Sequence, residues 1–151
     1  MNVVHTKQMD WTPGLIKGPF ENRRKPLGGD KLTCSLWELA PGKKSFPFHM
    51  HHVTEEALFV ISGQGKVRTQ EGLTAIGPGD YVSFLPGADA HQLINDGTEP
   101  LIYVGMSAVT GVDIVEYPDS QKIAAAKGGP PNGKRYIFKT KDQADYFDGE
   151  L

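Results

Sequence analysis

Turn-forming residues punctuate this chain so densely that no long helix fits between them. There are 18 glycines and 11 prolines in 151 residues, and from Leu32 onward the turn signals recur at roughly ten-residue spacing. No Gly-X-Y triplet accompanies them, which excludes a collagen-like rod. Hydrophobic residues make up 38% of the chain and are interleaved with the turn formers, which excludes wholesale disorder. The runs between turns are short and rich in β-favouring residues. Segments 32–39, 45–52, 57–61, 66–70, 73–76, 81–85, 90–95, 100–109 and 112–117 read as strands, with Glu71-Gly72 closing a hairpin. So many short strands in one stretch predict an all-β sandwich or barrel. The length fits one domain.

The flanks are less patterned. Residues 1–30, with Trp11, Pro13, Gly14, Pro19, Pro26 and Gly28-Gly29, read as an extended, turn-rich N-terminal arm. Residues 31–117 form the expected core. Residues 118–151 read as a C-terminal extension that packs on the barrel or on a partner subunit. Within it, 120–127 reads as a short helix built on Ala124-Ala125-Ala126 and ended by Gly128-Gly129. Segment 128–133 reads as a loop and 134–140 as a last strand.

Charge excludes several partners. With 16 basic and 18 acidic residues the formal net charge is −2, so there is no basic face for a nucleic-acid backbone. The one compact basic cluster, Arg23-Arg24-Lys25, reads as a solvated part of the arm. No apolar run approaches the ~18–20 residues of a membrane-spanning helix. The N-terminus shows neither the charged nor the apolar region of a secretory signal. A single cysteine, Cys34, excludes an internal disulfide framework and reads as a buried small hydrophobe. A cytoplasmic location is expected.

Three of the 5 histidines, His49, His51 and His52, fall within four residues. On a strand, His49 and His51 share one face while Met50 and His52 share the other. Two imidazoles at i and i+2 can hold one metal ion, although such a pair also arises by chance. Glu55 and Glu56 follow at once, and His91 opens a later strand. Three imidazoles and a carboxylate suit Fe(II), Mn, Ni, Zn or Cu.

The turn chemistry around these residues resembles the cupin superfamily. The first cupin motif matches Gly42, His49, His51, Glu56 and Gly63, and the six residues between glutamate and glycine select Glu56 over Glu55. The second matches Gly79, Pro86, His91 and Asn95. Two gaps, Gly42 to His49 and Gly79 to Pro86, are each one residue longer than the pattern, and Ala88 stands where a glycine is expected. The stretches Leu36-Trp37-Glu38-Leu39-Ala40-Pro41-Gly42 and Glu116-Tyr117-Pro118-Asp119-Ser120 are similar to small single-domain bacterial cupins of largely unassigned activity, some named as sugar-phosphate isomerases.

That resemblance implies a cupin jelly-roll β-barrel (a double-stranded β-helix) with extended N- and C-terminal arms. It also implies one divalent transition-metal ion held by His49, His51, Glu56 and His91. Residues sharing the ligands' strand parity, Leu58, Val60 and Leu93, are the substrate-pocket candidates and give a largely apolar wall. No arginine or lysine falls at inward parity on those strands. Arg68, Lys43 and Lys44 reach the site only if the barrel mouth brings them in, and Arg23 or Arg24 only as part of a lid. No catalytic residue is assigned: Glu55 faces away from Glu56, His52 points outward and His5 lies in the arm. Three function classes stay open. They are a metal-dependent isomerase, lyase or dioxygenase on a small oxygen-bearing metabolite, a small-molecule binding or sensing module, and a storage or structural protein. A homodimer is expected from unpaired sheet edges and long arms.

Overall fold

The computed structural model describes residues 3–108, 111–128 and 133–150. Among these there is no α-helix, and thirteen strands alternate with turns and three single 3-10 turns. The N-terminal strands are β1 (Thr12–Lys17), β2 (Phe20–Gly28) and β3 (Leu32–Leu39). Next come β4 (Met50–His51), β5 (Glu56–Ser62), β6 (Gly65–Arg68), β7 (Leu73–Ile76), β8 (Tyr81–Phe84) and β9 (Gln92–Ile94). The chain ends with β10 (Leu101–Ala108), β11 (Val112–Tyr117), β12 (Lys122–Lys127) and β13 (Lys134–Lys139). They form a six-stranded sheet in the order β1-β2-β3-β10-β5-β8, a four-stranded sheet β13-β12-β11-β4 and a three-stranded sheet β7-β6-β9.

The two smaller sheets act as one layer because residues 43–51 join them. The segment hydrogen-bonds to the β9 region through Ser45 N–H to Leu93 O, Asn95 N–H to Lys43 O, and a reciprocal pair between His49 and His91. It then enters β4 and pairs with β11 at Val115. Between this layer and the six-stranded sheet lies the main core of Leu39, Leu58, Val60, Val67, Ile76, Leu93, Leu101 and Tyr103. The sheets face each other in jelly-roll fashion and do not close into a continuous barrel. A smaller cluster of Val115, Tyr117, Ala124 and Ala126 ties β11 to β12.

Most of the sequence-predicted strands form, several with the expected bounds, and three readings need correction. Residues 12–28 are a β-hairpin, not an irregular arm: β2 pairs with β3 along its length. The Pro and Gly signals that obscured it sit at bulges, where register slips between Pro13 and Ile16 and between Pro26 and Gly28. Residues 122–127 are a strand, not a helix. The three alanines pair with Val115 and its neighbours on one side and with β13 on the other, so burial overrides their helix propensity. Segment 45–52 is regular only at Met50–His51 and otherwise makes one isolated bridge, His49 to His91, with Pro47 lacking an N–H to donate. Val109 and residues 129–132, at the end of one expected strand and in the expected loop, lie outside the described residues. No helix among the described residues is long and apolar enough to cross a membrane.

Candidate metal centre

Strand parity places the first donors. His49 and His51 point from the linking segment toward the six-stranded sheet, while His52 points the other way and its Nε2 meets Glu116 Oε1 at 2.8 Å. His91 is brought beside His49 by the backbone bridge between them, with ring centroids 4.7 Å apart. Glu56, the first residue of β5, faces them from the opposite layer, and Ser107 on β10 donates its hydroxyl to Glu56 Oε1 at 2.8 Å. Three imidazole nitrogens then surround the other carboxylate oxygen. Glu56 Oε2 lies 3.3 Å from His91 Nε2, 3.5 Å from His51 Nε2 and 3.9 Å from His49 Nε2.

The far nitrogens fix which atoms face the centre. His49 Nδ1 donates to Pro47 O at 2.8 Å. His51 Nδ1 meets Asp113 Oδ2 at 2.5 Å. Those contacts hold the ring protons on Nδ1 and leave the Nε2 lone pairs of both rings turned inward. Phe84 stacks on His91 with centroids 3.7 Å apart, and Tyr117 stacks on His49 at 6.2 Å. Burial, with the neighbouring His91 charge, lowers the His49 pKa to about 4, so this ring is neutral at pH 7. Burial alone would raise the Glu56 pKa, but the hydrogen bond from His91 and the surrounding imidazoles outweigh it and hold the carboxyl at about 2. His49, His51 and Glu56 could thus hold a metal ion, their donor atoms lying within 4.8 Å of one another.

The remaining candidates fall elsewhere. Leu58, Val60 and Leu93 are 2%, 0% and 5% exposed and pack into the core below the histidines. Glu55 is exposed. Arg68 makes a bidentate pair with Asp119, and Lys43 reaches toward Glu21. Asp113 was not anticipated. Burial would raise its pKa, yet hydrogen bonds led by that from His51 bring it below the usual carboxylate value. The signal was present: on β11, Asp113 shares a face with buried Val115 and Tyr117, and a carboxylate at an inward position needs a partner.

The sequence that builds this architecture also matches a family model. The cupin domain model matches residues 35–107. Over those residues the chain is similar to a cupin domain. Among solved structures the chain is similar to a proposed sugar phosphate isomerase from Acidithiobacillus ferrooxidans, at 29% identity and TM-score 0.83, with 93% of this chain and 91% of that one covered. A sugar phosphate isomerase of the cupin superfamily from Silicibacter pomeroyi is similar at 18% identity and TM-score 0.81, covering 97% of this chain and 98% of that one. A predicted oxalate decarboxylase from Thermotoga maritima aligns over 71% of this chain and 98% of its own length, at 18% identity and TM-score 0.63. At that identity the last two speak for the fold alone. None of the curated proteins matches the chain by sequence.

Proposed function

We propose that this chain binds one divalent transition-metal ion (Fe, Mn, Ni, Zn or Cu) through His49, His51, Glu56 and His91. We further propose that it acts as a metal-dependent enzyme on a small oxygen-bearing metabolite, with isomerase, lyase or dioxygenase chemistry in range. One observation carries the reading. The Nε2 lone pairs of His49 and His51, with their Nδ1 atoms already committed, are turned toward an ionised carboxylate oxygen. Acceptors converging on an acceptor need a cation between them. A divalent ion held there supplies a Lewis acid beside a substrate oxygen. The protein's own groups do the rest: Ser107 orients Glu56, Asp113 orients His51, and Leu58, Val60 and Leu93 form an apolar floor that keeps bulk water from below. The name of the Acidithiobacillus relative makes sugar-phosphate isomerisation the first reaction to test.

Metal analysis of protein purified without chelators tests the site. About one ion per chain is expected, with His49→Ala and His91→Ala proteins depleted. Metal retention in those variants at the wild-type level overturns the four-donor site. A binding or sensing role is the second reading. It is favoured by the absence, among the described residues, of a free carboxylate beside the centre to serve as base, since Glu56 and Asp113 are both engaged. Turnover of any screened metabolite, with and without dioxygen, decides between them. A cytoplasmic, homodimeric protein completes the proposal: Cys34 as the single cysteine fits a reducing compartment, and the exposed edge strand β13 fits pairing of two copies.

A further inference from the structure

The basic cluster Arg23-Arg24-Lys25 is divided by the pleat of β2. Arg23 Nε and Nη2 grip Glu38 at 2.6 and 3.0 Å, and both Arg23 and Lys25 lie over the Trp11 ring, with the cation 5.0 and 4.7 Å from its centroid. These two residues belong to the outer face. Arg24 takes the opposite parity. It stands directly across from Trp37, and its guanidinium carbon lies 5.5 Å from the Trp37 ring centroid.

Trp37 faces the metal centre's side of the sheet. It is paired with Tyr103, the two rings are stacked at 6.5 Å, and Tyr103 is buried in the core that underlies Glu56. Phe46 sets its edge on Trp37 at 5.4 Å and also contacts the His49 ring at 6.4 Å. Gly105 makes room for the indole: a Cβ there would lie 2.9 Å from Trp37 Cδ1 and 3.0 Å from Nε1. Gly105 is opposite Leu58, two residues along β5 from Glu56. The indole edge therefore covers the ground between Arg24 and the carboxylate. None of the ion pairs among the described residues engages Arg24.

We propose that Arg24, with the Trp37 indole N–H, forms an anion subsite that receives the carboxylate or phosphate of a small metabolite whose oxygen-bearing end lies against the histidines. A guanidinium over an indole ring, with no carboxylate partner among the ion pairs of the described residues, has donors free for a bidentate oxyanion. The Arg24 and Trp37 row is four residues along β10 from the Ser107 row, about 13 Å of strand. The ligand thus carries its anion several bonds from its reacting oxygen. The inference rests on the proposed function, since it names the substrate class of that site.

The test uses the full chain with Trp11→Phe, which leaves Trp37 as the sole tryptophan reporter. Inorganic phosphate, malonate and uncharged glycerol are titrated into apo and metal-loaded protein, followed by Trp37 fluorescence and calorimetry. Saturable binding of phosphate or malonate, but not glycerol, is expected, and the tighter of the two separates a phosphate from a carboxylate substrate. Arg24→Gln should weaken it at least tenfold with metal content unchanged, Arg24→Lys should restore part of it, and Arg23→Gln should stay within twofold. Equal anion affinity in Arg24→Gln, binding of neither anion, or metal loss in Arg24→Gln overturns the subsite. Wild-type protein that binds the anion through Arg24 but takes up no metal supports the subsite and overturns the metal reading.

Discussion

At the scale of single residues the centre is an arrangement of protons. Asp113 fixes the His51 tautomer, and such outer partners typically contribute 10–100-fold in metal affinity. Asp113→Ala should therefore weaken metal binding by roughly that factor while leaving the fold intact. Asp113→Asn, which can still accept the Nδ1 proton through its amide oxygen, should recover part of the loss; competition against a chromophoric chelator measures both. A second expectation concerns pH. The His49 pKa is depressed to about 4 in the folded chain, so the unfolded chain binds the extra proton between the two values. Stability from this group is complete above about pH 6.5 and drains away as pH falls toward 4, up to about 3 kcal/mol in all. Glu56, held at about 2, adds a further loss only below about pH 4.5. Urea titrations of metal-free protein at pH 7 and pH 5 should show the decline, and His49→Gln should flatten it. The grouping of His49, His51 and Glu56 was legible in the sequence because turn residues spaced them. Asp113 was not, because its role beside His51 depends on which strand lies beside which.

Elements follow the same division. Local alternation was enough to find β3, β7 and β11, and the Glu71-Gly72 turn closes the β6–β7 hairpin as its chemistry dictates. It failed where the deciding contact is distant in sequence. The Ala124-Ala125-Ala126 run becomes a strand because β11 and β13 flank it, and the hairpin of β1 and β2 shows itself only against β3. The turn after β5 illustrates why a motif glycine must be glycine. Gly63 has φ +81°, and a Cβ there would collide with the Pro100 carbonyl oxygen and the Leu101 backbone where β10 begins. Gly42 also has positive φ, +70°, but opens onto empty space. Gly42→Ala should therefore cost only about 1–2 kcal/mol for the left-handed backbone. Gly63→Ala should cost more, by on the order of 1–3 kcal/mol of overpacking, and chemical denaturation of both variants compares them directly. Equal losses would show that the close approach of Pro100 is not the constraint.

The whole molecule exposes more surface than a chain of its size should. Its accessible area is 9760 Å² for a mass of 16.5 kDa, whereas a compact monomer of that mass presents about 7,500 Å². An excess on the order of 2,000 Å² matches what one partner gives up in a large, stable interface. Part of the exposed surface lies in the C-terminal segment. β13 is the outer edge of its sheet and every residue in it is exposed, including Tyr136 at 61%, Ile137 at 50% and Phe138 at 58%. An edge strand bare on both faces, with Tyr136, Ile137 and Phe138 set between basic residues, offers unpaired backbone groups and an apolar centre for pairing. A second copy of this chain suits it, because a two-fold axis at an edge strand satisfies both edges at once. Light scattering after size exclusion should then give about twice the chain mass at micromolar concentration. Replacing Ile137 and Phe138 together by lysine, which leaves the main core untouched, should yield the single-chain mass with the strand content of the wild type. If the wild type already elutes at the single-chain mass, β13 is covered by some other means and the dimer is wrong. The proposed donors all lie in one chain, so the monomeric variant should keep the metal content of the wild type, and that result separates the assembly from the site.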